Sequence, residues 1–425
     1  MGIYPMKLIK IILPIFFFVG FLFADNSFQD DACVSCHLEI DEDIDIPVMS
    51  NMINDVHIQN GLSCADCHGG DPTAFDDPES AMWDDDSFIG AIDKKEQPKV
   101  CGSCHSNSVY MRNYSTSIRT DQVDQYWTSR HGILLKSGDT KVAACTSCHS
   151  VHGIYQTDDP RSTAYALNIP NTCASCHSDT EYMAEYNIPT DQLEQFKLSV
   201  HGVALLDKQD TFSPACNDCH GNHGATPPDV AHISDICGLC HVNNKDLFKK
   251  SFHRELFLEN GLNECEACHG NHEVSIPTIE MLNWNNQSVC LECHDDGDSA
   301  AKEMSLGFYR IIDSLNTQLR SVENLISIAE RKGMEVSDMF IHLEDAHRIL
   351  IQTRTNIHSF DTEYVNKTAE AGFSAISEAT TGANKSLSEL NFRRKGLLVF
   401  SLIITFSVIV LFLKLKAMQR KQLNK

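Results

Sequence analysis

The sequence predicts a mostly helical chain with long loops and little β-sheet, followed by a helical bundle and one C-terminal membrane helix. Three observations lead to this fold class. A cysteine–histidine motif recurs through residues 25–295, a cysteine-free stretch with helical apolar spacing covers residues 300–392, and an uncharged apolar run covers residues 396–413. The last two patterns predict long helices, whereas the dense motifs predict short ones.

Every cysteine of the chain lies in a C-x-x-C-H motif. The 18 cysteines form nine pairs, and a histidine follows each pair directly, although only 20 of the 425 residues are histidine. In this motif the two thiols bind haem through thioethers, and the histidine ligates the iron. A disulfide framework does not require the histidine, and a zinc ribbon pairs one C-x-x-C with another. The sequence therefore predicts nine covalently bound haems c, which would form most of the core of residues 25–295.

The predicted haem ligands fall into two sets. The attachment residues are Cys33, Cys36, Cys64, Cys67, Cys101, Cys104, Cys145, Cys148, Cys173, Cys176, Cys216, Cys219, Cys237, Cys240, Cys265, Cys268, Cys290 and Cys293. The proximal iron ligands are His37, His68, His105, His149, His177, His220, His241, His269 and His294. Each motif is named below by its first cysteine.

The motifs belong to an internal repeat. The stretches that begin at Cys101 and Cys173 share CxSCHS, YM, TDQ, SxHG, LL, AC and CHxxHG in the same order, and a shorter version runs from Cys237 to His272. Each copy holds two motifs, which indicates duplication of a two-haem module.

Histidines outside the motifs recur at fixed places in this repeat. A haem with two histidine ligands needs one such imidazole on its far side, so the recurrence predicts distal ligands; the alternative is a surface or propionate-binding histidine. A histidine three residues after the proximal ligand leaves the same turn, so we expect it to serve a neighbouring haem. The candidates are His57, His131, His201 and His253 before a second motif, His152, His223 and His272 after one, and the unrepeated His232.

Nine motifs and eight such histidines leave one haem without a second ligand. A methionine could supply it, an open position would favour catalysis, and a histidine of residues 300–392 is a third choice. His347 and His358 would lie about 20° apart on one helix face; the alternative is that they occupy a solvated or packed helix flank. The methionines of the region are Met49, Met52, Met111 and Met183.

The two termini predict export and anchoring. Residues 1–24 read as a signal peptide with an apolar run at 11–23, the alternative being an uncleaved anchor. Residues 300–392 predict a helical hairpin or three-helix bundle, residues 396–413 a transmembrane helix, and residues 414–425 a basic cytoplasmic tail. Because c-type haem is attached outside the cytoplasm, the expected location is the inner membrane, single-pass, with the haem domain in the periplasm.

The net charge of −24 excludes nucleic acid as a target. Acidic clusters at residues 38–47 and 82–88 either solvate the surface or steer a basic redox partner towards it.

The pattern "SVHG…ACNDCHGNHG" resembles the multihaem c-type cytochromes with doubled CxxCH motifs, related to class III cytochromes, and especially their membrane-anchored periplasmic members. The resemblance covers residues 33–294. It implies electron transfer between a quinone-linked membrane partner, such as an integral b-type cytochrome or a quinol oxidoreductase subunit, and periplasmic or outer-membrane acceptors. The familiar tetrahaem quinol dehydrogenases carry an N-terminal anchor, whereas the anchor predicted here is C-terminal.

Two other function classes remain open. A multihaem reductase or oxidase of nitrogen or sulfur oxyanions needs one haem with an open axial position, and no CxxCK motif announces one here. A redox sensor is the weaker alternative, because only 12 residues follow the predicted span. The chain fits an electron carrier, or the redox subunit of a quinol-linked oxidoreductase, better than a catalytic subunit.

Overall fold

The structure is a computed structural model that describes residues 31–40, 52–83, 87–226 and 234–423. These residues form helices and loops without β-strands, and a long apolar helix ends the chain, so the predicted fold class is confirmed. The predicted signal peptide, Met49 and His232 lie outside the described residues.

The chain divides into two units, residues 1–229 and 230–425. The division falls inside the haem region predicted at 25–295. The first unit therefore holds six motifs, and the second holds the Cys237, Cys265 and Cys290 motifs together with the helical bundle.

Short helices carry the motifs of the first unit, with loops between them. A π-helical turn, Val203–Asp207, follows the short helix Val200–Gly202. The helices are α1 Ala32–Ile40, α2 Val56–Gln59, α3 Ala65–His68, α4 Pro78–Trp83, α5 Gln97–His105, α6 Ser108–Met111, α7 Gln122–Thr128, α8 Arg130–Ser137, α9 Cys145–His149, α10 Ile169–His177, α11 Thr180–Met183, α12 Gln192–Leu198, α13 Val200–Gly202 and α14 Cys216–His220.

The second unit begins with similar short helices and ends with three long ones. Short 3-10 turns lie at Ile279–Leu282, Val289–Glu292 and Ile357–Ser359. The helices are α15 Ser234–Cys237, α16 Val242–Lys250, α17 Phe252–Glu259, α18 Glu266–His269, α19 Ser299–Arg331, α20 Ser337–Asn356 and α21 Thr362–Leu423.

Helices α19, α20 and α21 pack into a bundle around one apolar core. Leu315 and Ile326 of α19 are each 1% exposed, and each stabilises the core by about 1.5–3 kcal/mol. Ala379 and Ala383 of α21 are fully buried, and their small side chains let the helices approach closely. The core therefore comes from the apolar stripe that helical spacing predicts for residues 300–392.

The C-terminal half of α21 differs from the half in the bundle. Its residues 396–413 are exposed, uncharged and apolar, and Phe406 is 70% exposed. Among the described residues, α21 is the one helix that is long and apolar enough to cross a membrane. It is compatible with single-pass membrane anchoring.

Candidate haem sites

The histidines that precede a second motif share one local structure. Each is the second residue of a helix, and the residue two positions before it is the N-cap. The cap side chain of Asp55, Ser129 or Ser199 accepts a hydrogen bond of 2.9 Å from a backbone N–H of its own first turn. Such caps pair backbone amides that the first turn of a helix leaves without partners. Here they also fix the start of the helix and therefore the position of the histidine. The histidines are His57, His131, His201 and His253.

The glycine after two of these histidines is required by a close approach of the backbone. A Cβ atom on Gly132 would lie 2.0 Å from the carbonyl oxygen of Tyr126, and one on Gly202 would lie 1.8 Å from that of Phe196. Any side chain there would push the preceding turn away. The repeated S-x-H-G pattern therefore specifies both the cap and the tight packing that hold the imidazole in place.

Six motif histidines each face a histidine from outside the motifs. The distance between ring centres is 6.0–6.2 Å in all six pairs. The pairs are His105 with His57, His68 with His152, His177 with His131, His149 with His223, His294 with His253, and His269 with His358.

These spacings fit an iron ion between the two rings of each pair. A metal–imidazole bond of about 2 Å, plus about 1 Å from the nitrogen to the ring centre, places two such rings about 6 Å apart. Contacts without this constraint vary more widely, from 3.9 Å between the ring centres of His253 and Phe360 to 6.2 Å between those of His253 and Phe257. The donor set of paired thiols, a proximal imidazole and a facing imidazole thus fits haem c with two histidine ligands.

In these six pairs of the described residues, the facing histidine does not come from the neighbourhood of the motif that it faces. His152 follows His149 by three residues but faces His68, and His223 follows His220 but faces His149. Each of these imidazoles therefore ties its own motif to an earlier one.

Burial keeps several of these rings in the form that binds metal. It lowers the pKa of His131, His149 and His358 below the usual value for histidine. A neutral imidazole has a free nitrogen lone pair for iron, whereas a protonated imidazole has none.

In several of these rings, Nδ1 has a hydrogen-bond partner of one of two kinds. Nδ1 of His68 lies 2.7 Å from the carbonyl oxygen of Gly90, and Nδ1 of His358 lies 2.9 Å from that of Thr355. An N–H that donates there fixes the tautomer and leaves Nε2 for iron.

Two rings instead have a carboxylate partner. Nδ1 of His57 lies 3.1 Å from Asp55, and Nδ1 of His294 lies 2.7 Å from Asp298. Burial acts to raise the pKa of Asp55, but hydrogen bonds with His57 and Ile154 outweigh it, and the pKa lies below its usual value. The carboxylate is therefore ionised at neutral pH.

The thiols of successive motifs lie close enough in the first unit to affect one another's pKa. Interaction with Cys145 raises the pKa of the Cys101 thiol, and interaction with Cys216 raises the pKa of the Cys173 thiol. Weaker electrostatic contacts join Cys64 to Cys33, Cys67 to Cys101 and Cys104, and Cys148 to Cys173 and Cys176. The six motifs therefore follow one another in space in the order of the sequence.

The second unit repeats this arrangement. Interaction with Cys265 lowers the pKa of the Cys237 thiol, whereas burial, together with the nearby Cys290 and Cys293, raises the pKa of Cys268. In both units, the first cysteines of the two motifs in a module lie close to each other. The second cysteine of the module's second motif lies close to the motif that follows.

His347 and the predicted methionine ligands have different surroundings from these pairs. His347 Nε2 lies 2.7 Å from Glu323 Oε1 on the exposed surface, rather than opposite a motif histidine. Met111 and Met183 are buried, and Met52 packs against Val34 and Cys64. His201 and His272 occupy the same places in the repeat as His131 and His223.

His37, the proximal histidine of the first motif, is exposed. Within the described ranges, no histidine ring faces it.

Sequence reasoning missed Asp55 and Asp298. A signal for Asp55 was present, because D-x-H stands at the place where the later copies have S-x-H. Asp298 follows His294 by four residues and caps α19, and nothing in the repeat announces its contact with the ring.

The comparisons with known proteins give one match. The family model Cytochrome c3 matches residues 56–178, which include the Cys64, Cys101, Cys145 and Cys173 motifs. Neither the search of curated proteins nor the search of solved structures found a significant match. The matched family implies covalently bound haem c and multihaem electron transfer.

Proposed function

We propose that this protein is a nine-haem c-type cytochrome, anchored in the inner membrane by α21, that transfers electrons in the periplasm. Its donor or acceptor on the membrane side is a quinone-linked protein, such as an integral b-type cytochrome, and its partners on the other side are periplasmic or outer-membrane redox proteins. When bound, haem supplies one-electron chemistry at iron, and the chain supplies ligands, spacing and anchoring.

The observation that carries this proposal is the common spacing of the six histidine pairs. Ordinary packing of imidazoles has no reason to produce ring-centre distances of 6.0–6.2 Å six times, each time between a motif histidine and a non-motif histidine. Two imidazoles on one iron fill both axial positions, so a substrate cannot bind there. This arrangement favours a carrier over an enzyme at these six sites.

The sulfur contacts support a continuous path within each unit. Because the thioether sulfurs sit at porphyrin edges, adjacent sulfurs place adjacent porphyrin edges close together. The path runs from the Cys33 motif to the Cys216 motif in the first unit, and from the Cys237 motif to the Cys290 motif in the second.

The last motif of the path contacts the bundle. Cys290 Sγ lies 3.4 Å from the hydroxyl of Ser305 on α19, and α19 packs against α21. This contact supports electron exchange with a membrane partner near the Cys290 motif.

The haem content is tested by mass spectrometry of the mature polypeptide together with a pyridine haemochrome assay. We expect nine haems per chain and no free thiol. Sulfurs that are unmodified, bridged as disulfides or bound to zinc would overturn the proposal. Quinol-dependent reduction of the haems in native membranes, compared with the detergent-purified protein, tests the need for a membrane partner.

A second candidate function rests on His37. A reductase or oxidase of nitrogen or sulfur oxyanions requires one open iron position, and the exposed His37 has no facing histidine in the part of the chain that the structure describes. Binding of carbon monoxide to one of the reduced haems, together with turnover of nitrite, hydroxylamine or tetrathionate, would favour this function. A protein whose haems are all low-spin and bind no carbon monoxide would exclude it.

A further inference from the structure

Two aspartates each place a carboxylate on the ring of a candidate iron ligand. Asp55 contacts His57 at 3.1 Å, and Asp298 contacts His294 at 2.7 Å. The ring nitrogens of His68 and His358 meet backbone carbonyls instead. The carboxylate contacts are therefore a feature of particular sites and not of every site.

Both carboxylate oxygens of Asp55 accept hydrogen bonds within the first unit. One oxygen accepts hydrogen bonds from the backbone N–H of His57 and lies against its ring, and the other accepts one of 2.7 Å from the N–H of Ile154. The side chain is 6% exposed. Ile154 follows His152 by two residues, so Asp55 also holds the segment whose imidazole faces His68.

Asp298 makes a similar pair of contacts in the second unit. It is the N-cap of α19, accepting a hydrogen bond of 3.0 Å from Ala301 N–H, and its other oxygen lies on the ring of His294. Its side chain is 38% exposed, so water screens its charge more than that of Asp55. Both aspartates thus combine a helix cap with a contact to a ligand ring.

A carboxylate on Nδ1 draws the ring proton towards itself and makes Nε2 a stronger donor. A stronger donor stabilises ferric iron relative to ferrous iron. The reduction potential of a haem therefore depends on hydrogen bonds that its axial ligands make.

We propose that Asp55 and Asp298 are positioning residues that lower the reduction potentials at the His57/His105 and His253/His294 sites. The inference rests on the proposed haem ligation and goes beyond it, because it ranks sites that share the same ligand pair.

The EPR signals of these two sites should differ from those of the other four histidine pairs. Their imidazole planes are close to perpendicular, at 88° and 81°, the largest angles of the six pairs. Two parallel imidazole rings interact with the same iron dπ orbital, so the two dπ orbitals differ strongly in energy. Two perpendicular rings interact with one dπ orbital each, so these orbitals stay nearly degenerate. Low-spin ferric haems of the second kind give strongly anisotropic EPR signals.

The experiment is an EPR-monitored redox titration of the full-length, haem-loaded protein and of Asp55→Ser and Asp298→Ser. Serine keeps the helix cap, as Ser129 does in the later copy, and removes the charge. In Asp55→Ser we expect one component of the strongly anisotropic signal to have an equilibrium constant for reduction about tenfold larger, which raises its reduction potential by about 59 mV. In Asp298→Ser we expect the reduction potential of the other component to rise by a smaller amount. The matched control is Asp179→Ser, which removes a cap carboxylate that bonds only backbone N–H groups.

Unchanged potentials in both variants would overturn the proposal. Conversion of a site to high-spin haem in Asp55→Ser would also overturn it, since the aspartate would then be holding the ligand in place rather than tuning it. Restoration of the native potential by Asp55→Glu supports it. A native protein without low-spin haem signals would refute the proposed function itself, which is a different result from signals that are present and do not shift.

Discussion

His358 faces His269 with their ring centres 6.1 Å apart and their planes at 24°. His269 belongs to the Cys265 motif, whereas His358 lies in the 3-10 turn that follows α20. The helical bundle therefore supplies one side of a candidate haem site, and burial of His358 and its contact with Thr355 hold the ring in place.

Replacement of His358 should open one haem. We expect His358→Ala to convert the haem of the Cys265 motif to a high-spin form that binds carbon monoxide, because no second imidazole remains opposite His269. Resonance Raman and optical spectra of the reduced protein measure this. The control is His347→Ala, which removes only an exposed contact with Glu323 and should leave the spectra unchanged. A spectral change in the control and none in His358→Ala would contradict the assignment.

The ring angles predict two classes of low-spin EPR signal. The pairs His149/His223 and His269/His358 have planes 15° and 24° apart, so we expect rhombic signals from them, in contrast to the perpendicular pairs. His223→Met should remove intensity from the rhombic class, and His57→Met from the strongly anisotropic class. If both variants removed intensity from the same class, the ring orientations would not be those described.

Gly132→Ala should disturb the His131/His177 site. The new Cβ would meet the carbonyl of Tyr126 at 2.0 Å, so the turn that begins with Ser129 must shift and carry His131 with it. We expect a lower yield of haem-loaded protein or one high-spin haem, read from optical spectra and haem content. Gly307→Ala is the control, because nothing lies within 4 Å of its Cβ in α19, and alanine there should stabilise the helix by about 1 kcal/mol. A fully loaded, low-spin Gly132→Ala protein would show that the close packing is not needed.

A chain that ends after Phe392 tests the anchor. It keeps the buried part of α21 and loses the exposed apolar residues 396–413, so we expect it in the aqueous fraction with an unchanged haem spectrum. Fractionation after a high-salt or carbonate wash measures this. The matched control is full-length Ile409→Leu, which should remain with the membrane. Retention of the truncated chain after washing would show that another surface holds the protein there.

The haem-binding chemistry was readable from the sequence because it depends on local spacing. Cys216, Cys219 and His220 form a site signature within five residues, and the helical spacing of Leu315, Leu319 and Val322 likewise predicts a buried helix face. The expectation that His152 serves a haem other than that of His149 also followed from local geometry, since both leave one turn, and the structure places His152 opposite His68.

The partner of each ligand could not be read in the same way. Asp55 and His57 are neighbours in the sequence, but the bond from Ile154 to Asp55 forms only when distant loops fold together. Likewise, His347 and His358 were equal candidates by helical geometry. The structure distinguishes them, because His347 contacts Glu323 whereas His358 faces His269.

By itself, the sequence determined the haem attachment motifs, the helical character of the chain and the apolar C-terminal helix, because each depends on residues within a few turns of one another. Only the tertiary structure decided which histidine faces which, the order of the motifs in space and the carboxylate contacts of two ligands. These depend on how loops that are far apart in the chain pack together, and a repeat that offers several equivalent histidines leaves that choice to packing.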